Sequence, residues 1–164
     1  MKTLNILRPL IIGFVVFSFT SCNKSDEKEI SEQEIPQTII YAFNNNFPNA
    51  IVNEYSVEIE DSQKFYEISF ELNGRKMDVL YDTEAKMYEL EETIPTEELP
   101  ANISDAVAAK FDDFTIKLAE KCDKKGQKFY EVKLVNKKDK KRYELLYSES
   151  GKLVEKEVMK NEKE

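Results

Sequence analysis

Gln63-Lys64-Phe65-Tyr66-Glu67 recurs unchanged as Gln127-Lys128-Phe129-Tyr130-Glu131, 64 residues further along the chain. Five identical residues at one offset mark an internal repeat, and a repeat decides the fold before any local preference does. Working outward, the same offset pairs Pro36 with Pro100, Ile39 with Ile103, Ala42 with Ala106 and Phe47 with Phe111. It also pairs Ile68 with Val132 and Phe70 with Leu134. Beyond these the offset becomes 66, because the second copy has a longer hairpin. Met77, Val79 and Tyr81 then meet Tyr143, Leu145 and Tyr147, and Glu89 and Glu91 meet Glu155 and Glu157.

Each copy opens with a helical pattern. Ile35-Pro36 and Leu99-Pro100 place proline at the first turn, where its missing N–H costs nothing. Ile39, Ile40, Phe43 and Phe47 follow helical spacing, as do Ile103, Val107 and Phe111. Phe47-Pro48 stops the first helix, since a residue before proline is pushed out of the α region. Strands follow with period two: Tyr55, Val57 and Ile59, then Tyr66, Ile68, Phe70 and Leu72, then Met77, Val79 and Tyr81, then Met87 to Leu90. Asn73-Gly74 is a two-residue hairpin signal, and Gly126 and Gly151 mark turns in the second copy. At the fixed offset Tyr55 and Val57 align with Ala119 and Lys121, a change in the inward face that a bulge would reconcile.

The fold class is therefore α+β: two tandem repeats, each one helix plus a four-stranded antiparallel meander. The expected arrangement is one extended eight-stranded sheet with both helices on one face, because a sheet with one apolar face needs a cover. Residues 35–94 form repeat 1 and residues 95–159 repeat 2, after a flexible charged tether over 23–34 and before a disordered tail over 160–164.

The first 22 residues read as a targeting signal. Lys2 and Arg8 make a positive start, and Leu10 to Phe19 is an apolar run about half the roughly 20 residues that a membrane-spanning helix needs. Phe19-Thr20-Ser21-Cys22 resembles the lipobox of bacterial lipoproteins, with Phe19 where Leu is usual. The resemblance implies export and lipidation at Cys22; a secretory signal with a chance cysteine is the alternative. The charged run Asn23 to Glu29 resembles the acidic signals that send some lipoproteins to the outer face of the outer membrane. Anchoring to the outer membrane, on its periplasmic or surface side, is therefore expected, a plain solvated tether being the alternative reading of that run. Without these 22 residues the chain carries 22 basic and 32 acidic residues, a charge of −10. Such a chain does not seek nucleic acid or anionic lipid, so its only membrane contact is the anchor.

A lipobox followed by tandem helix-plus-four-strand units of about 60 residues resembles the PepSY-like proteins, which share the architecture of the β-lactamase inhibitory protein (BLIP-like). The resemblance rests on the paired Lys-Phe-Tyr-Glu strand starts and the proline-led helices, from Ile35 to Met159. It implies a protein that binds and sometimes restrains envelope enzymes, notably peptidases, through its open sheet face and hairpin loops.

Catalytic chemistry is hard to place in this chain. There is no histidine, the commonest general base and metal ligand, so Ser-His and Cys-His nucleophiles are excluded. Four glycines make no phosphate loop. With Cys22 acylated, Cys122 is the one remaining thiol, expected half-buried in a strand without a redox partner. The plentiful carboxylates, Glu67, Glu89 and Glu91 among them, read as a solvated outer sheet face. No enzyme, cofactor or metal site is expected.

The expected partner surface is the uncovered face. Phe65 and Phe129, Leu80 and Leu146, and Met87 and Leu153 are out of phase with the inward series, and Glu54, Glu67, Glu89 and Glu131 ring them. An apolar cluster with a polar rim is the anatomy of a protein-binding face; dimerisation or half-burial under the tether is the alternative. Charge is uneven as well: residues 36–94 carry 12 acids and 4 bases, while residues 95–164 carry 15 acids and 16 bases. Lys138, Lys140, Lys141 and Arg142 make a basic hairpin that can steer a partner. The expected function is a lipid-anchored, non-catalytic envelope protein that binds or inhibits an envelope protein such as a peptidase or other hydrolase. A small molecule or metal ion held between the repeats, or a purely structural surface role, is the alternative.

Overall fold

The computed structural model describes residues 28–60 and 62–159. The signal segment, Cys22 and the tail over 160–164 lie outside the described residues. Nine strands form one open antiparallel sheet in chain order. The first copy holds α1 (Gln37–Asn46), β2 (Ile51–Glu60), β3 (Gln63–Leu72), β4 (Arg75–Asp82) and β5 (Met87–Thr93). The second holds α2 (Ala101–Lys110), β6 (Phe114–Lys124), β7 (Gln127–Asn136), β8 (Arg142–Ser148) and β9 (Leu153–Met159). Neither helix is long and apolar enough to cross a membrane.

The ninth strand, β1 (Lys28–Ile30), comes from the stretch read as tether. Lys28, Glu29 and Ile30 pair with Val57, Ser56 and Tyr55 of β2. The cause is again the repeat: at the 64-residue offset Lys28-Glu29-Ile30 becomes Glu92-Thr93-Ile94, the end of β5 and the residue after it. Ile30 and Ile94 both pack on a core, and a short 3₁₀ turn follows each, at Glu32–Glu34 and Thr96–Glu98. Ser31 holds the first turn, its N–H and hydroxyl both donating to Glu34 at 2.9 Å. Each turn leads to a buried apolar residue and a proline, Ile35-Pro36 or Leu99-Pro100, from which the helix starts. The repeat thus begins at residue 28.

Each helix covers its own four strands. Ile39 and Phe43 of α1 sit on Ile68, Phe70, Val79 and Tyr81. Ile103 and Val107 of α2 sit on Val132, Leu134, Leu145 and Tyr147. Asn73-Gly74 and Lys125-Gly126 both take positive φ at two successive residues, as a tight hairpin requires. Gly151 packs under α2, where an added Cβ would lie 3.0 Å from the Asn102 carbonyl.

Four bulges set which side chains face which way. Val52 opposes Phe70 and Glu54 opposes Ser69, so Asn53 is the extra residue in β2; Lys117 is its counterpart in β6. Both copies carry the bulge, so Tyr55 and Ala119 alike face the helices, and the inward face does not change between copies. Lys121 occupies the position of Val57 and is exposed, between Glu92 of β5 and Tyr130 of β7. In β5, Tyr81 opposes Met87 and Leu80 opposes Glu89, leaving Tyr88 as the extra residue; Val154 is its counterpart in β9. These two bulges turn Met87 and Leu153 onto the helix side, where each packs on a core.

One difference between the cores is testable. The Tyr81 hydroxyl accepts a hydrogen bond from Asn46 Nδ2 at 3.1 Å. Residue 110 stands at the position of Asn46 in the second copy and is lysine, and the buried Tyr147 hydroxyl has no hydrogen-bond partner among the described residues. Deleting a bonded hydroxyl costs about 1 kcal/mol, whereas deleting an orphaned one removes a desolvation penalty. Tyr81→Phe is therefore expected to lower the urea midpoint and Tyr147→Phe to keep or raise it; the reverse order would contradict this account.

Candidate functional site

The face opposite the helices is covered by neither. Its residues lie in rows across the sheet, set by the strand register. One row runs Ser56, Glu67, Leu80, Glu89, Lys124. The next runs Glu54, Ser69, Asp78, Glu91, Cys122, Phe129. A third runs Thr93, Glu120, Glu131, Leu146, Glu155. The fourth runs Leu118, Lys133, Glu144, Glu157. Together they form a trough of about 270 Å³ across both copies, lined by eight glutamates and two lysines around Leu80, Phe129 and Leu146.

Three carboxylate pairs stand directly opposite one another: Asp78 with Glu91, Glu120 with Glu131, and Glu144 with Glu157. Like charges in that relation repel. Lys133 offsets part of this, with Nζ 2.8 Å from Glu131, 3.5 Å from Glu120 and 4.0 Å from Glu144. Burial works against its ammonium, but these three carboxylates outweigh burial and hold it firmly protonated. Ser69 donates to Asp78, and Thr93 to Glu120 at 3.3 Å.

Glu91 lies between the copies. Burial, then repulsion by Glu131, Glu89 and Glu120, pushes its carboxyl up to about 9, against a weaker pull from Lys133. Glu144 is raised to about 7, by burial first and then by Glu131. Burial also raises Glu120. Cys122 is fully buried rather than half-buried, and burial plus the surrounding glutamates push its thiol up. A protonated thiol there is a poor nucleophile. Ligand atoms of Glu91, Cys122 and Glu131 lie within 4.8 Å of one another, as do those of Asp78, Glu91 and Glu120, so either trio has the reach to hold a cation.

The residues expected on this face divide into three groups. Phe129 and Leu146 line the trough, half-buried. Phe65 and Leu80 are on the same face but sunk, Phe65 against Tyr88 with ring centroids 4.3 Å apart. Met87 and Leu153 are on the other face, for the reason given by the bulges. The basic hairpin stands between β7 and the start of β8, two residues before Glu144. Lys138 pairs with Asp112 at 2.5 Å and Lys137 with Asp113 at 3.0 Å, while Lys140, Lys141 and Arg142 are exposed. The acidic centre was read as a solvated face because its residues belong to five strands. Its one visible sign in the sequence is the Glu-x-Glu spacing of Glu89 and Glu91, repeated at Glu155 and Glu157.

The raised carboxyls couple stability to pH. Between pH 4.5 and about 9 the folded chain keeps a proton on Glu91 that the unfolded chain gives up. Stability therefore falls as pH rises through that window, by about 1.4 kcal/mol per pH unit for one retained proton. Asp78, Glu89, Glu120, Glu131, Cys122 and Lys133 surround the group from β4 to β7. The urea midpoint is expected to be higher at pH 5.5 than at pH 8.5, and Glu91→Gln to flatten that slope; equal slopes in the two proteins would remove Glu91 from the account.

Comparison with known proteins places this geometry. The family model "Putative beta-lactamase-inhibitor-like, PepSY-like" matches twice, over residues 21–89 and 73–155. A comparison with curated proteins finds no match. A DUF2874 family protein from Bacteroides uniformis superposes with a TM-score of 0.66 at 20% identity, over 76% of this chain and 89% of that one. A BLIP-like protein from Bacteroides fragilis gives 0.61 at 19% identity, over 78% and 89%. A Bacteroides eggerthii protein described as "putative periplasmic" gives 0.66 at 19%, over 75% and 88%. At these identities the structures share the fold, and the two matches of the family model carry the assignment: the chain belongs to the PepSY-like, beta-lactamase-inhibitor-like family.

Proposed function

We propose that the chain is an exported, lipid-anchored, non-catalytic protein of the cell envelope that binds another envelope protein, such as a peptidase or other hydrolase, over the open face of its sheet. The observation that carries this reading is the trough itself: an apolar centre of Phe129, Leu80 and Leu146 rimmed by carboxylates on a face that neither helix covers. Apolar centre and polar rim are what a protein interface needs. A family described as beta-lactamase-inhibitor-like, and a fold shared with a protein described as periplasmic, support the same reading. A chain without histidine, whose buried thiol stays protonated, supports the non-catalytic part. The anchor rests on Cys22 and the signal before it; Cys22→Ser is expected to move the protein from the membrane fraction to the soluble fraction.

A second reading, a cation held between the copies, is favoured by the position of Asp78, Glu91 and Glu120 at the β4–β6 junction. Carboxylate oxygens are the ligands that calcium takes.

The test is affinity capture from detergent-solubilised envelope with the full-length chain. A stoichiometric envelope protein is expected, and Phe129→Ser is expected to reduce its capture at least ten-fold, as loss of a central aromatic does, with an unchanged melting temperature. Undiminished capture by Phe129→Ser would take the partner off the trough. A clean eluate together with saturable calcium binding that Glu91→Gln abolishes would favour the second reading.

A further inference from the structure

Among the described residues β9 is a free edge, paired with β8 alone. The chain itself shows what such an edge accepts, because β5 is the same strand in the first copy and β6 covers it. The β5–β6 register sets Glu89 against Lys124, Leu90 against Asp123 and Glu91 against Cys122. Glu89 and Lys124 close a 3.0 Å ion pair on the open face. At the 66-residue offset Glu89, Leu90 and Glu91 become Glu155, Lys156 and Glu157. A strand laid on β9 in the β6 register sets a cation like Lys124 against Glu155, and an acid like Asp123 against Lys156. It also covers Val158, one of the exposed large apolar residues, at 53% exposure.

A second copy of the chain is the wrong occupant. Its strand equivalent to β6 is β2, whose central Tyr55–Val57 already pair with β1. Even with β1 displaced, that register would set Glu58 of one copy against Glu157 of the other, one more pair of like charges. Among the described residues the repeat thus lays the three-residue β1 on Tyr55–Val57 at one end of the sheet and leaves β9 with no strand beyond it at the other, its acids turned toward the trough.

We infer that β9 is a docking edge for an extended basic segment of another protein, which adds as a tenth strand and sets Lys or Arg side chains beside Glu155 and Glu157 on the open face. Main-chain hydrogen bonds supply affinity in such strand addition, and alternate side chains supply specificity. Residues two apart in the incoming strand face the same side, so the segment carries basic residues at a spacing of one intervening position. This inference rests on the open face being the partner surface, and it names the chemistry of the partner there.

The probe is a synthetic peptide of residues Phe114–Lys124 of this chain with Cys122→Ser, titrated against the full-length chain in detergent and followed by amide hydrogen exchange. Saturable binding with new protection confined to β9 is expected. A peptide with Lys124→Glu should bind about ten-fold more weakly, and one with Cys122→Lys more tightly, since it faces Glu157. The chain with Glu155→Lys should lose affinity for the starting peptide and regain it for the Lys124→Glu peptide, a rescue that also shows the variant is folded. Protection appearing in β2 instead of β9, affinities indifferent to the charge swap, or β9 protection by self-association without peptide would each overturn the inference. If the swap fails while Phe129→Ser still loses the captured partner, strand addition falls and the trough remains. If the swap holds while Phe129→Ser is harmless, the edge remains and the partner leaves the trough.

Discussion

The backbone pairing between β5 and β6 is the constraint on which the open face depends. It is the one place where the first copy passes into the second, and it turns two four-stranded meanders into a single sheet. Without it each copy would present two glutamates of its last strand at an unpaired edge. With it, Glu89 meets Lys124, Glu91 meets Cys122 and Thr93 meets Glu120, and the buried Cys122 and Glu120 lie at the join. The linker between the copies is pinned from two sides. Ile94 donates its N–H to the Ala119 carbonyl at 2.9 Å, and Arg75 of β4 bridges Glu92 and Glu98. Exposed ion pairs of this kind add little stability by themselves; here they fix a register that buried side chains already favour.

The helix side explains why the opposite face is left uncovered. Each helix buries one narrow apolar stripe, Ile39 and Phe43 or Ile103 and Val107, on the inward residues of its own four strands. That consumes the apolar side of every strand. The other side packs far less, with Phe65, Leu80 and Cys122 sunk in it, and carries groups that cost stability: three opposed carboxylate pairs and a glutamate whose carboxyl keeps its proton to about pH 9. Like charges held across neighbouring strands are tolerated by a sheet whose other face is well packed, and Lys133 relieves part of their repulsion from within.

Much of the architecture was legible in the sequence because the repeat is local information. Two identical pentapeptides, proline-led helices and period-two strands fix the element types and their order. The Asn73-Gly74 hairpin follows from its dipeptide alone. What was not legible is what a bulge decides. One extra residue at Tyr88 and one at Val154 shift the register of β5 and β9 and carry Met87 and Leu153 to the helix side. Period-two reasoning has no access to that shift, since it is set by how the strand curls over the core. The same holds for β1: Lys28-Glu29-Ile30 looks like charged tether until it is laid over Glu92-Thr93-Ile94 at the repeat offset. The acidic trough was out of reach for a third reason, that it is built from cross-strand neighbours dozens of residues apart.

The places where the two copies differ are informative because the scaffold under them is the same. On the open face Ser56 is matched by Glu120, Ser69 by Lys133 and Glu58 by Cys122, whereas Glu67, Leu80 and Glu89 keep their character as Glu131, Leu146 and Glu155. In the first copy Ser56 simply donates to Glu67 at 2.8 Å. In the second the same position brings a buried carboxylate against Glu131, and Lys133 arrives two residues later to hold both. The exchange leaves neither core altered, so core packing cannot be its reason. It concentrates charge at the junction, where β5, β6 and β7 run side by side, while β9 repeats the Glu-x-Glu pattern of β5 as the outer strand among the described residues. A stable sheet alone does not require that asymmetry, and it is the charge pattern that the proposed basic segment would meet.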